Sequence, residues 1–175
     1  MDDRLKRAQD DLASALRNIY RSEVNELSSL RNPHNYLIRL FEAICILFQE
    51  KKPSLQIGQK LTRNAAFVNN LYNYDKDGMP PSTLKRLKKY VEDPRFQPEY
   101  FQDYKPAAAM ATFIISLVKY VEISRACAGL FEACNRGNIE RVKDLLSKDD
   151  VDVNEIGFVW IIIIFVFFFL LLFLF

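Results

Sequence analysis

The first 30 residues are polar apart from one apolar seam. The seam alternates steps of three and four residues, through Leu5, Ala8, Leu12, Ala15 and Ile19. This spacing is typical of a coiled-coil strand, and no Pro or Gly interrupts it before Asn32-Pro33, so the pattern predicts a single helix over residues 5–27. Fewer than four heptads are present, and an ordinary amphipathic helix fits the same spacing.

Short helices are predicted from residue 31 onward. Asn32-Pro33 favours a helix start, because Asn caps helices well and Pro is favoured in the first turn. The wide apolar face that follows predicts a core helix ending near residues 50–53. Two further helices are predicted over 59–64 and 65–74. The second is expected to turn four residues inward, namely Phe67, Val68, Leu71 and Tyr72.

A turn and two further helices complete this region. Asp77-Gly78, followed by two prolines, predicts the turn. The next helix is expected to start at Ser82 or Thr83 and to end at the following Asp-Pro pair. The apolar run over 107–121 predicts a long buried helix. No segment shows the alternation of a strand, so we expect a compact all-α head.

Residues 127–157 follow a different pattern. Two short helices around Gly137, closed by Asp-Val-Asn at 152–154, resemble a single ankyrin repeat. One repeat cannot bury its own apolar face, and the Thr-Pro-Leu-His opening of that pattern is missing. We therefore expect one ankyrin-like helix pair beside the head.

The last segment, 158–175, is apolar except for the indole nitrogen of Trp160. About 18 residues at 1.5 Å each give about 27 Å, which is just enough for a helix to cross a hydrocarbon core. The segment predicts a C-terminal hydrophobic helix that anchors the chain in a membrane. Its monotony and the lack of a following basic residue fit a translated intron or a frameshifted end equally well.

Composition excludes several classes of function. The net charge of +2 and the absence of base-stacking aromatics among basic residues argue against nucleic acid, and the basic run at 85–89 favours a solvated helix face. Three scattered cysteines indicate a reducing compartment, and the single His34 has no partner spacing for zinc. No phosphate-binding glycine loop or nucleophile motif occurs. We expect no catalysis, no cofactor and no metal.

Several landmarks occur in one order along residues 4–125. They are Asn32-Pro33, Glu42-Ala43-Ile44-Cys45-Ile46-Leu47, Tyr74-Asp75-Lys76-Asp77, Pro80-Pro81, Leu87-Lys88-Lys89-Tyr90, Asp93-Pro94-Arg95-Phe96 and Pro98-Glu99. The series resembles the stalk tip of a dynein heavy chain. The resemblance implies a bundle of short helices on an antiparallel coiled-coil stub, with residues 5–27 as the outgoing strand and 116–125 as the start of the returning one. It also implies tubulin in the microtubule as partner, a cytoskeletal or ciliary axoneme location, and no enzyme in this segment.

The same resemblance implies the binding residues. In the family, the helix that opens at Asn-Pro and the last long helix meet tubulin through basic side chains, and on this basis we expect Arg31, Arg39 and Lys105 to face the microtubule. The lysine-rich start of the last helix is replaced here by Tyr100, Asp103 and Pro106. This departure implies weaker binding and favours an axonemal parent.

The expected organisation has four parts, which are a coiled-coil strand at 1–30, a microtubule-binding helical head at 31–126, the ankyrin-like repeat at 127–157 and the hydrophobic tail at 158–175. Because the returning strand runs into the ankyrin-like segment, we expect the seam of the outgoing helix to be exposed. We expect passive binding without motor activity. Two alternatives stay open, a tail-anchored membrane interaction protein and a truncated chimaeric product without selected function.

Overall fold

The computed structural model describes residues 3–148, and these residues form helices and turns without a strand. The α-helices are α1 Asp3–Arg17, α2 Arg21–Ser28, α3 Asn35–Leu47, α4 Leu55–Arg63, α5 Phe67–Tyr72, α6 Pro81–Val91, α7 Lys105–Asn135 and α8 Ile139–Lys148. Two 3₁₀ helices, Pro94–Phe96 and Pro98–Phe101, connect α6 to α7. The predicted all-α class is confirmed.

Backbone contacts divide the chain into two compact units. The first unit is Asp3–Glu122, and it contains α1 to α6 with the beginning of α7. The second unit contains the rest of α7 and α8, and its described residues are 123–148. The surfaces discussed below all lie in the first unit.

The helix predicted over 5–27 is two helices, so that prediction is wrong. After α1 the backbone makes 3₁₀-type hydrogen bonds between residues three apart, and the Ile19 N–H donates to the Leu16 carbonyl at 3.1 Å. Tyr20 then adopts an extended conformation with φ −100° and ψ 136°. Ile19 and Val24 are both buried while Tyr20 is 57% exposed. Burial of apolar side chains on both sides of the break therefore outweighs helix continuity, and no Gly or Pro is needed.

The seam of α1 is buried, which corrects the expectation that it would be exposed. Four of its five residues, Ala8, Leu12, Ala15 and Ile19, are only 1–5% exposed, whereas Leu5 is partly exposed. α7 supplies residues opposite this seam: Phe113 and Leu117 face Leu12 across a shallow cavity of about 140 Å³. An ion pair of 3.7 Å between Asp11 and Lys119 joins the same two helices. The seam of the N-terminal helix therefore faces the beginning of α7 within the first unit.

α3 is the centre of the first unit. Eight of its residues between Leu37 and Leu47 are buried and at most 2% exposed. The helix contacts α4, α6 and both 3₁₀ helices. The crossing with α4 is close, because a Cβ added at Gly58 would lie 2.6 Å from the Cβ of Phe41. Only glycine fits this crossing without displacing α3.

The middle helices follow the sequence pattern with small differences. The Ser54 side chain caps α4 by accepting a hydrogen bond from the Ile57 N–H at 3.3 Å. In α5, Phe67 and Leu71 are buried as expected, whereas Tyr72 is 51% exposed and its inward prediction is wrong. Tyr72 lies at the surface because its hydroxyl donates a hydrogen bond to the Leu16 carbonyl at 3.2 Å, at the end of α1.

In the second unit, two helices flank Gly137, but the first is the end of the 31-residue α7 rather than a short separate helix. Gly137 has φ +64°, and the Asn138 N–H donates to the Ala133 carbonyl at 3.0 Å, which is the Schellman way to end a helix. This geometry is a general helix stop, and the ankyrin-like repeat stays a prediction. Its closing turn at 152–154 and the apolar tail at 158–175 lie outside the described residues.

Among the described helices, α7 has the length and apolar composition of a membrane-spanning helix. Half of its apolar window is buried inside the protein, however, and a buried core helix meets the same criteria. α7 alone is therefore weak support for a membrane location.

Candidate functional site

The starts of α3 and α7 lie at the same end of the first unit. Phe101, just before α7, meets Tyr36 in α3 with ring centroids 5.6 Å apart at 82°, and Tyr36 stacks on His34 at 4.5 Å. We call residues 31–36 and 100–105 the two-helix end. Arg31 precedes α3 and Lys105 is the first residue of α7, and both are exposed. The structure therefore brings two of the three predicted site residues to neighbouring helix starts.

The two cations of the two-helix end form no ion pair in the part of the chain that the structure describes. Within residues 3–148, no carboxylate lies within ion-pair distance of Arg31 or Lys105. The acidic residue nearest to Lys105 in sequence is Asp103, whose charge acts on Tyr36. Burial first, and then the charges of Asp103 and Tyr104, raise the pKa of the Tyr36 hydroxyl. The surface thus offers two cations that have no ion-pair partner among the described residues, and the acidic Asp103, two residues before Lys105, weakens the positive field there.

Arginines fix the loop that carries Arg31. The Arg21 guanidinium donates from Nη1 to the Thr62 carbonyl at 2.8 Å and from Nη2 to the Arg63 carbonyl at 2.6 Å, at the end of α4. Arg63 in turn donates to the Ser28 carbonyl at 2.8 Å, at the end of α2. Each helix therefore receives a cation at its C-terminal carbonyls, where both the unpaired oxygens and the helix dipole favour one.

A fourth contact completes this anchoring. The Gln59 amide of α4 donates to the Leu30 carbonyl at 2.8 Å, one residue before Arg31. The loop from α2 to α3 is therefore held on α4 at two successive points, Ser28 and Leu30. Arg31 projects from a positioned backbone rather than from an unsupported loop.

The pattern of basic residues missed Arg63. The resemblance implied Arg31, Arg39 and Lys105 as site residues and gave no reason to single out Arg63. Ser28 is 1% exposed, and the guanidinium bound to its carbonyl belongs to Arg63, 35 residues away. The available signal was a cation in the last turn of α4, which commonly interacts with a helix end, but its partner helix could not be read from the sequence.

Arg39 is engaged inside the first unit. Its guanidinium pairs with Asp93 at 2.7 Å and lies 5.4 Å from the centre of the Tyr90 ring, while its side chain is 36% exposed. These contacts join α3 to the end of α6. Its predicted contact with the microtubule stays a prediction, and any charge reversal there would also remove a structural link.

Asp93 forms ion pairs with two arginines, Arg39 and Arg95. Hydrogen bonds from the side chain and backbone N–H of Arg95, together with the charges of Arg39 and Arg95, lower the pKa of Asp93 from 3.8 to about 2. Tyr90 beside it donates to Glu42 at 3.2 Å. Burial, and then the charge and hydrogen bond of Glu42, raise the pKa of Tyr90.

Aromatic rings connect this cluster to the two-helix end. Phe96 meets Tyr90 at 6.0 Å and Phe101 at 5.9 Å, and Phe101 meets Tyr36. The row runs from the Arg39 contact to the start of α3 through edge-to-face pairs. In the described part of the chain, no group of three His, Cys, Asp or Glu side chains is placed to hold a metal ion.

Comparison with known proteins places these features in a family. Residues 3–152 match the family model described as the microtubule-binding stalk of dynein motor. The match includes residues 127–152, so the ankyrin-like interpretation of that segment gains no support. The solved structure titled "Microtubule Binding Domain of DYNEIN-C" is similar with a TM-score of 0.61 and 23% identity, over 70% of this chain and 90% of that chain. This likeness shows the fold.

Two curated relatives are similar over about two thirds of the chain. The ciliary dynein beta chain of Tripneustes gratilla is 28% identical over 116 residues, which is 62% of this chain and 3% of the relative. Human dynein axonemal heavy chain 14 is 30% identical over 119 residues, which is 67% of this chain and 3% of the relative. The chain therefore spans about 3% of the length of these relatives. Because the family model covers most of the sequence, the chain belongs to the family of dynein microtubule-binding stalks.

Proposed function

We propose that this chain is the microtubule-binding head of an axonemal-type dynein stalk, and that it binds tubulin through the two-helix end. The observation that carries the proposal is the placement of Arg31 and Lys105, two exposed cations without an acidic partner in the described structure, at adjacent helix starts. The names of the relatives support the axonemal type and a location in the ciliary axoneme.

Binding at this surface is electrostatic in its main part. Cations held on a fixed backbone attract an acidic filament surface and orient the head before close contact. Exposed pairs of this kind are screened by salt, so affinity falls as ionic strength rises. Within residues 31–36 and 100–105, Arg31 and Lys105 are the only Lys or Arg side chains, and the acidic Asp103 lies two residues before Lys105, so we expect modest affinity.

We call the side of the first unit that α1 and the beginning of α7 form the stalk side, and we propose that it can change register. α1 lies on α7 through its apolar seam and is further tied by two polar contacts, the Asp11–Lys119 ion pair and the Tyr72–Leu16 hydrogen bond. A slide of α1 along α7 must break both contacts and then settle in a new register, which gives two discrete states. We assign binding and its regulation to this chain and no catalytic step.

The alternative of a membrane-anchored protein rests on residues 158–175, which lie outside the described structure, and the comparisons do not support a membrane partner. A direct test of the proposal is cosedimentation of the full chain with microtubules across a salt series. Binding that weakens steadily with salt supports it. Absence of binding at low salt, with the helical circular dichroism intact, would overturn it.

A further inference from the structure

α6 exposes a continuous basic face. Lys85, Arg86, Lys88 and Lys89 are all exposed, whereas Thr83 and Leu87 on the opposite side are buried. We call these four exposed residues the α6 basic face. At 100° per residue, Lys85 and Lys89 lie at its centre and the other two flank them.

The cations of this face repel one another. Lys85 is three and four residues from Lys88 and Lys89, and like charges at these spacings destabilise a helix. Lys88 is relieved by Glu122 at 2.6 Å and by Glu92 at 3.8 Å. Over residues 3–148, no carboxylate is placed to pair with Lys85, Arg86 or Lys89. Three positive charges therefore remain to attract an anion.

The α6 basic face is separate from the two-helix end. Its Lys88 is tied to Glu122, which is 17 residues along α7 from Lys105. At 1.5 Å per residue, the two positions on α7 are about 25 Å apart. A ligand on the α6 basic face therefore does not compete for the residues assigned to tubulin.

We propose that the α6 basic face binds an acidic peptide in an extended conformation. Glu122 already shows a carboxylate seated on this face, with its Oε1 accepting from the Lys88 ammonium. Side chains three or four residues apart on a helix are about 5–6 Å apart, and alternate side chains of an extended chain are about 6.6 Å apart. Carboxylates at every second residue of such a peptide match Lys85 and Lys89.

The chemistry of the face favours an acidic peptide over nucleic acid. Three of its four cations are lysines, which are compact charges without the flat fork that grips phosphate. Binding of single-stranded nucleic acid also uses aromatic rings on which bases stack. The aromatic residue of α6, Tyr90, is already covered by Arg39 and bonded to Glu42.

The test is fluorescence polarisation of a labelled ten-residue glutamate peptide with the full chain. We compare Lys85→Glu/Lys89→Glu with Lys51→Glu/Lys52→Glu, which makes the same charge change at two exposed lysines between α3 and α4. We expect the first variant to weaken peptide binding about tenfold or more and the second to weaken it less than about twofold. The reason is that salt screens the charges that lie more than a Debye length from the bound peptide. Circular dichroism checks the fold, and Lys85→Gln/Lys89→Gln replaces the reversal if that variant unfolds.

Three outcomes overturn the inference. They are no binding of the unmodified chain at low salt, equal weakening by both variants, and tighter binding of a ten-nucleotide single strand than of the peptide. The inference does not rest on the proposed function, because microtubule cosedimentation of the Lys85→Glu/Lys89→Glu variant reports on tubulin independently. Retained cosedimentation with lost peptide binding is the result we expect.

Discussion

The two ends of the first unit are held by different forces. On the stalk side, α1 is held by an apolar seam in which Ala8, Leu12, Ala15 and Ile19 are 1–5% exposed, and two polar contacts, Asp11–Lys119 and Tyr72–Leu16, add to it. At the two-helix end, the loop before α3 is held by directional hydrogen bonds to backbone carbonyls, from Arg63 to Ser28 and from Gln59 to Leu30. Apolar packing tolerates a slide from one register to another, whereas hydrogen bonds to fixed carbonyls hold one geometry. The difference agrees with the proposed register change of α1 and with the proposed presentation of charge by the two-helix end.

The largest loss of stability is expected on the stalk side. Leu12→Ala removes a side chain that is 5% exposed beside an existing cavity, and we expect a loss of about 2–5 kcal/mol. Urea unfolding followed by circular dichroism measures it. Ser14→Ala, at an exposed position of the same helix, serves as control and should change stability by less than about 0.5 kcal/mol. Equal effects of the two changes would mean that the seam is not packed.

A smaller loss of stability is expected when the contacts of Arg21 with the end of α4 are removed. Arg21→Ala leaves the carbonyls of Thr62 and Arg63 without their donor, and we expect a loss of about 1–3 kcal/mol. Arg17→Ala is the matched control, because among the described residues the exposed Arg17 donates only to the Ala13 carbonyl of its own helix. Amide hydrogen exchange at residues 28–31 should rise in the first variant and stay unchanged in the second. Unchanged exchange in both would remove Arg21 from the support of the loop.

These two regions also differ in how far the sequence predicted them. The periodic seam and the long apolar run identified α1 and α7, and Asp77-Gly78 identified the turn before α6, because such signals are local. The break at Tyr20 carries no Gly or Pro and depends on burial of Ile19 and Val24 against other helices. Tertiary packing therefore determines where the chain breaks between α1 and α2.

The candidate site shows the same limit. Arg31 and Lys105 could be named from the order of the landmarks, and the structure places them at neighbouring helix starts. The bond from Arg63 to Ser28 and the pair of Arg39 with Asp93 join residues 35 and 54 positions apart. Charge alone does not show whether a cation is free or already bound within the fold, so Arg63 was missed.

A single hydrogen bond links α5 to the end of α1. Tyr72→Phe removes the bond to the Leu16 carbonyl while keeping the ring, and we expect a loss of about 0.5–1.5 kcal/mol. If the bond holds the register of α1, the variant should also change microtubule affinity without changing the far-ultraviolet spectrum. A variant with normal stability and normal affinity would show that the seam alone sets the register.

The smallest change in stability is expected when acid protonates the Asp93 carboxylate. Asp93 has its pKa lowered to about 2, so its contribution to stability is complete above its unfolded value of about 3.8 and is lost as the pH falls through 2. Asp93→Asn should therefore be less stable than the unmodified chain at pH 6, and the difference should shrink between pH 4 and pH 2. Thermal unfolding at several pH values measures this difference. A difference that stays constant down to pH 2 would contradict the ion-pair explanation.

The most direct test compares microtubule cosedimentation of Arg31→Glu/Lys105→Glu with that of Lys51→Glu/Lys52→Glu in the full chain. The two variants carry the same charge, and both pairs of residues are exposed. If the two-helix end binds tubulin, the first variant should lose about tenfold in affinity, or about 1.4 kcal/mol, and the second should stay close to the unmodified chain. Equal affinity of the two variants would contradict the assignment of tubulin binding to the two-helix end.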